Sequence, residues 1–279
     1  MIYNLIMHGR SIFRQVVAVP QDHGSWVFLF SPLLIGYFAS GNLNQAVLEL
    51  IVAAVTAFLL RQPVSVAVKS LSGRRPRSDL PPALFWIAVY GILLLSAIIS
   101  LVYSGYIFIL YLAIPGLIVF AWHLFLVSKR NERGQAGVEI LATGVLALSA
   151  PAVFWVSQGF YNPLGWWLWI LTWLQSAASI VYTYLRLEQR KLPEMPVVRD
   201  RVRMGMRAFL YATFNLCFTL ALATTNILSP WIFLPYLLQW AETSWGIITP
   251  AIGVKPTKIG VRQLVVSSLF TLLFILVWR

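Results

Sequence analysis

The sequence predicts an all-α, polytopic membrane protein, on three observations. The 279 residues are 59% hydrophobic and only 11% charged, with mean hydropathy +0.78; a soluble domain carries roughly a quarter charged residues. Apolar runs long enough to span a bilayer recur along the chain, since about 20 residues at a rise of about 1.5 Å cross about 30 Å of hydrocarbon. The 21 Lys and Arg gather in alternate connections between those runs, the asymmetry that marks cytoplasmic loops.

The runs place about nine spans, at 25–40, 46–66, 82–103, 105–127, 137–156, 163–184, 207–226, 229–248 and 263–278. The connections 41–45, 104–105, 157–163 and 226–230 carry no charge. The others carry Lys69, Arg74, Arg75 and Arg77, then Lys129, Arg130 and Arg133, then seven basic residues from Arg186 to Arg207, then Lys255, Lys258 and Arg262. Arg10 and Arg14 precede the first span. The expected topology has a cytoplasmic N-terminus and Arg279 on the opposite side. Residues 1–19 mix Ile2, Leu5, Ile6, Phe13 and Val17 with His8, Arg10 and Arg14. That pattern reads as a retained amphipathic segment lying at the membrane surface, ahead of a single nine-helix domain over 20–279. Twelve Trp and eleven Tyr suit interfacial belts. Cys217, the only cysteine, can form no internal disulfide, and no Cys/His zinc spacing occurs.

A net charge of +12 also suits nucleic acid, but the cations are spread over five short loops without a nucleic-acid motif. Membrane topology and attraction to anionic lipid headgroups account for them. Membrane lipids are therefore the expected partners, and nucleic acid is not.

Polar residues inside spans cost free energy and point to function. The candidates are Arg61, His123, Glu139, Gln175, Asn215, Gln239 and Glu242, most of them toward the basic end of their run. Singly, Gln175 and Asn215 read as interhelical glue, worth about 0.6 kcal/mol on average; the ionisable ones read as lining an inward-facing cavity. Five clusters follow. In Val19-Pro20-Gln21-Asp22-His23-Gly24-Ser25-Trp26, helix capping explains Asp22 and Ser25, while Asp22 and His23 also bring a carboxylate and a titratable imidazole to a cavity mouth beside Trp26. Arg61 precedes the loop of Lys69, Arg74, Arg75 and Arg77, and guanidinium forks bind phosphate oxygens in a bidentate manner. Glu132, Gln135 and Glu139 share a helical face, fit for a divalent cation or, more blandly, for pairing with Arg130 and Arg133. Tyr182, Arg186 and Arg190 form one stripe and Tyr184 and Glu188 another; Pro193 and Pro196 then break the helix, opening a long polar loop up to Arg207 that holds a short surface helix. The last cluster, Gln239 to Trp245, holds Glu242 about two turns from its helix end.

Pro20-Gln21-Asp22-His23-Gly24-Ser25-Trp26 resembles the PxEHGxW-type signature of the YwiC-like family of integral membrane proteins, and KRNERGQAGVE and LRLEQRK fit it too. A more distant resemblance is to UbiA-type prenyltransferases. It implies a UbiA-like helical bundle of nine helices with the N-terminus inside, and two acidic motifs on the loops after helices two and six. SGRRPRSDLPP is similar to the loop after their first motif, and TYLRLEQRKLP occupies the place of the second. Where that family has NDxxDxxxD, this chain has Arg61 to Lys69 without a carboxylate, and the second motif keeps only Glu188. Holding a diphosphate through Mg²⁺ needs several oxygen ligands, so the cofactor and any metal are left open, with the usual magnesium mechanism disfavoured.

The leading expectation is a cytoplasm-facing basic cavity binding an isoprenoid or other anionic lipid, with prenyl transfer as the UbiA-like activity. Arg61, Lys69, Arg74, Arg75, Arg186 and Arg190 would hold phosphate. Asp22, His23 or Glu188 would supply acid–base chemistry, and Trp26, Glu132, Glu139, Gln239 and Glu242 would line the cavity. The missing Asp motifs favour the alternative of a non-enzymatic assembly factor or lipid or pigment chaperone with a membrane-protein partner. His123, Glu139 and Glu242 favour a transporter.

Overall fold

The computed structural model describes residues 14–20, 24–130 and 135–278; every regular element among them is a helix, with no strand. The helices are α1 Ser25–Ser40, α2 Gln45–Leu71, α3 Leu80–Tyr103, α4 Ile109–Ser128, α5 Ala136–Ala147, α6 Ser149–Gln158, α7 Leu164–Gln189, α8 Val198–Ala223, α9 Leu234–Ile248 and α10 Pro256–Trp278. A single turn at Gln15–Ala18 precedes them and a 3₁₀ turn, Arg77–Asp79, leads into α3. The all-α, multi-pass membrane character expected from composition is what the chain has.

Seven segments among the described residues are long and apolar enough to cross a membrane: 45–71, 77–103, 109–128, 136–158, 164–189, 198–223 and 256–278. Two of the nine expected spans fall short of that length. Helix α1 has 16 residues and α9 has 15, or about 24 and about 22 Å at the helical rise. Elsewhere helices outrun the hydropathy pattern. Helix α8 begins at Val198, so the short surface helix expected within the loop up to Arg207 is continuous with the span that follows. Backbone groups entering the interface still need partners, and continuing the helix supplies them with polar side chains outward.

The chain clusters into two compact units, residues 1–23 with 43–138 and residues 24–42 with 139–279. In the first, α2 and α3 pack along their length and α4 lies against α2. Asn44 caps α2, its side-chain oxygen accepting from Val47 N at 2.9 Å. The turn at 15–18 is fixed to this pair: Gln62 donates to Val16 O at 2.8 Å, Tyr90 donates to Ala18 O at 3.2 Å, and Val17 packs with Val66, Ala67 and Ala83. Of the predicted surface segment, only this turn and Arg14 fall within the described residues.

In the second unit α7 is central, contacting α1, α6, α8, α9 and α10. Helix α6 is buried throughout from Ala150 to Ser157. Gly36 of α1 lets that helix approach the backbone of Ala150, where a Cβ would collide. Interhelical hydrogen bonds recur along α7: Asn215 donates to Leu174 O at 2.8 Å, Gln239 to Gln175 O at 2.9 Å, and Tyr236 to Leu171 O at 2.9 Å. Asn215 thus acts as glue between helices through its side chain, and the Gln175 side chain reaches Ser267 of α10 at 3.4 Å. Trp169 and Trp173 donate to Gly144 O and Ile140 O, tying α5 to α7 beside the break at Leu148.

Candidate functional site

At the basic end of the second unit, the last turns of α7 and α9 and the first turns of α10 enclose a cleft of about 430 Å³. The local sequence builds it. The stripe Tyr182–Arg186 on α7 faces Glu242 and Trp245, one turn apart on α9, and α10 brings Lys258 and Arg262, also one turn apart. The loop between α9 and α10 is fastened to the end of α7: Gly253 N donates to Arg190 O at 3.2 Å, Arg190 Nε to Val254 O at 3.3 Å, and Ala251 N to Gln189 Oε1 at 3.3 Å.

Arg186 is only 6% exposed, yet its hydrogen bonds go to uncharged oxygens. Its Nη1 donates to Gly246 O at 2.7 Å, Thr249 O at 2.7 Å and Gln189 Oε1 at 3.0 Å. The carbonyls lie at the end of α9, where the helix dipole is negative and a cation is favoured. No carboxylate pairs with this guanidinium among the described residues, and its Nε and Nη2 make no hydrogen bond to them. Arg262 differs. Its Nε and Nη2 donate to the two Glu242 oxygens at 2.6 and 2.7 Å, the bidentate arrangement. The Tyr182 hydroxyl donates to the same carboxylate at 2.8 Å. Both guanidinium groups lie near the Trp245 ring, with Arg262 at 3.7 Å and Arg186 at 5.4 Å from its centroid. Lys258 is exposed, lines the cleft and has no ion pair among the described residues. The rest of the wall is largely apolar, with Val254, Ile259 and Val261. Three cations thus line a largely apolar cleft, and the Glu242 carboxylate is bound to two residues of its wall, Tyr182 and Arg262.

The cleft brings together Arg186 and Glu242 of the sequence-predicted set. Arg190 and Gln239 belong to the same helices: Arg190 holds the loop, and Gln239 is buried with its Oε1 unpaired. Glu188 is exposed near the end of α7. Glu139 accepts from the Tyr184 hydroxyl at 2.7 Å. Trp26 is half-buried and stacks on Phe30 with ring centroids 5.8 Å apart. In the first unit, Arg61 lies over the Phe58 ring at 5.2 Å. Arg74 donates to Val127 O at the end of α4, and Arg75 pairs with Asp79 at 3.5 Å, which also holds Arg14 at 3.1 Å. Lys69 O accepts from the amides of Arg74 and Arg75. Asp22, His23 and Glu132 lie outside the described residues. No group of three or more potential metal ligands occurs among the described residues.

The sequence reads Lys258 and Arg262 only as loop charges, and it places Trp245 in the Glu242 cluster without a role. The usable signals were the one-turn spacings Glu242–Trp245 and Lys258–Arg262, which put like-facing groups at helix ends.

Residues 19–154 match the family profile described as YwiC-like protein, a segment that contains the Pro20–Trp26 signature and ends before the cleft. The chain is also similar to a protein of Bacillus subtilis (strain 168) described as "Uncharacterized protein YwiC", 23% identical over 223 residues that cover 78% of this chain and 82% of that one. No solved structure matches it.

Proposed function

We propose, from the premise that this is a YwiC-like multi-pass membrane protein, that it binds an anionic amphiphile in the cleft formed by α7, α9 and α10. The observation that carries the reading is Arg186, a buried guanidinium at the cleft wall without a carboxylate partner among the described residues. Burying a charge is costly unless it is compensated, and an anion in the cleft supplies the compensation. Lys258 and Arg262 add to the attraction, and the apolar wall suits a hydrocarbon chain, an isoprenoid or a fatty acyl group. The cleft faces the cytoplasm in this reading, because its cations lie in the connections that carry most of the Lys and Arg. Prenyl transfer, implied by the resemblance to UbiA-type enzymes, is the catalytic extension of the same reading.

The test is saturable binding of a prenyl diphosphate and of anionic phospholipids to the purified full chain, with and without Mg²⁺. Binding weakened about tenfold by Lys258→Gln is the expected result. Absence of saturable binding to every anionic amphiphile removes the proposal.

A transporter is the second reading, and a polar seam in the second unit favours it. Gln263 donates to Ser179 at 2.5 Å, Gln175 to Ser267 at 3.4 Å, and Ser31 is hydrogen-bonded to Thr271. Proteoliposomes that neither accumulate solute nor move protons would eliminate it.

A further inference from the structure

Among the described residues, Glu242 is the one acidic side chain hydrogen-bonded to the cleft's cationic wall. Arg186, Lys258 and Arg262 contribute three positive charges and Glu242 removes one, leaving two to be met by a ligand. The free donors agree with that count. Arg186 keeps Nε and Nη2, Arg262 keeps Nη1, and Lys258 keeps its ammonium, because Glu242 occupies only Nε and Nη2 of Arg262. A terminal phosphomonoester carries about −1.5 to −2 charge near pH 7 and presents three acceptor oxygens. A phosphodiester headgroup such as phosphatidylglycerol presents a single charge and two free oxygens. Attraction and repulsion both scale with ligand charge: the three cations favour a dianion over a monoanion, and the clamped carboxylate trims that preference without abolishing it.

We infer that the net positive wall, two charges once Glu242 is counted, selects a phosphomonoester on an apolar chain over a phosphodiester lipid, with Glu242 limiting the size of that preference. The inference rests on the anion-binding reading above and narrows its ligand class. Two sources offer the same headgroup chemistry, phosphatidic acid and an isoprenyl monophosphate.

The experiment compares four probes with the purified full chain in neutral-lipid nanodiscs: phosphatidic acid, phosphatidylglycerol with the same acyl chains, geranylgeranyl monophosphate, and phosphatidylcholine as the neutral control. Wild type is expected to prefer phosphatidic acid to phosphatidylglycerol by about tenfold. Glu242→Gln is expected to raise affinity for both anionic lipids, and for phosphatidic acid the more, so that the ratio widens. Lys258→Gln, on an exposed side chain, is expected to lower phosphatidic acid affinity more than phosphatidylglycerol affinity. The relative affinities of phosphatidic acid and geranylgeranyl monophosphate identify the preferred tail. Equal affinity for the two glycerophospholipids in wild type overturns the inference while leaving anion binding intact, as does a ratio that stays the same or narrows in folded Glu242→Gln. Should Glu242→Gln fail to fold, the Lys258→Gln ratio decides alone, and an equal loss for both lipids counts against the inference. Absence of binding by any anionic probe removes the underlying reading instead.

Discussion

The guanidinium of Arg262 lies over the indole of Trp245, with its central carbon 3.7 Å from the ring centroid. The stacking fixes one face of the planar group while Glu242 holds one edge. The remaining edge is therefore presented in a defined direction, a form of preorganisation that lowers the ordering cost of binding.

Trp245→Leu tests that relationship. Removing the ring is expected to weaken anionic-ligand binding by about 0.5–2 kcal/mol, the span of cation–π energies from exposed to desolvated sites. Titration of lipid into the purified variant measures it. Affinity equal to wild type would show that Glu242 alone orients Arg262.

Gln189 is 1% exposed and links three partners: it accepts from Arg186 and from Ala251 N, and donates to Gly246 O at 3.1 Å. Gln189→Leu leaves the Ala251 amide unpaired and is expected to cost about 1–3 kcal/mol of stability. A thermal unfolding midpoint in detergent reads this directly. A midpoint within error of wild type would show that the loop after α9 does not depend on this side chain.

Glycine replacements separate close packing from helix propensity. A Cβ on Gly246 would meet the Tyr182 ring, so Gly246→Ala is expected to destabilise by about 1–3 kcal/mol. Gly91 in α3 has open space around its Cβ direction, and Gly91→Ala is expected to be neutral or to stabilise by up to about 1 kcal/mol. Similar unfolding midpoints for the two variants would contradict the close approach at Gly246.

Asp79 receives both Arg14 and Arg75, and its side chain is 11% exposed against 56% for Arg14. Arg14→Ala is therefore expected to cost under about 1 kcal/mol, as exposed pairs do. Asp79→Asn, which weakens both pairs at once, should cost more. Reversal of that order in chemical denaturation would show that Arg14 anchors the turn at 15–18 by itself.

Sidedness is open to labelling. In a Cys217→Ser background, Lys255→Cys is expected to react with an impermeant maleimide only after the cytoplasmic face is exposed, and Asn226→Cys from the opposite face. Labelling of both from the same side would sink the orientation drawn from the basic loops.

Much of the architecture was legible because lipid imposes a simple rule: a spanning segment must be apolar and must satisfy its own backbone. Helix α3 follows from that rule, and its start at Leu80 lies close to the expected 82. Helix α8 does not. Its first turns carry Arg199, Asp200, Arg201 and Arg203, and hydropathy cannot tell a charged helix at the interface from a charged loop. The break at Leu148 was also hidden, since α5 and α6 read as one apolar run while the pause is held by tryptophans on α7. At the site, charge in the sequence located Arg186 and Glu242 individually. Their meeting with Arg262 depends on α7, α9 and α10 converging, a long-range arrangement that no local pattern encodes.

Helix α1 is made first but lodges against α6 and α10, and its Ser31 is hydrogen-bonded to Thr271 near the end of the chain. A nascent chain therefore holds this helix without its Thr271 partner until α10 has been made. Bringing such distant partners together is slow. Biogenesis of this protein therefore depends on the C-terminal helix arriving, and truncation before residue 256 would strand the first helix in the bilayer without its clasp.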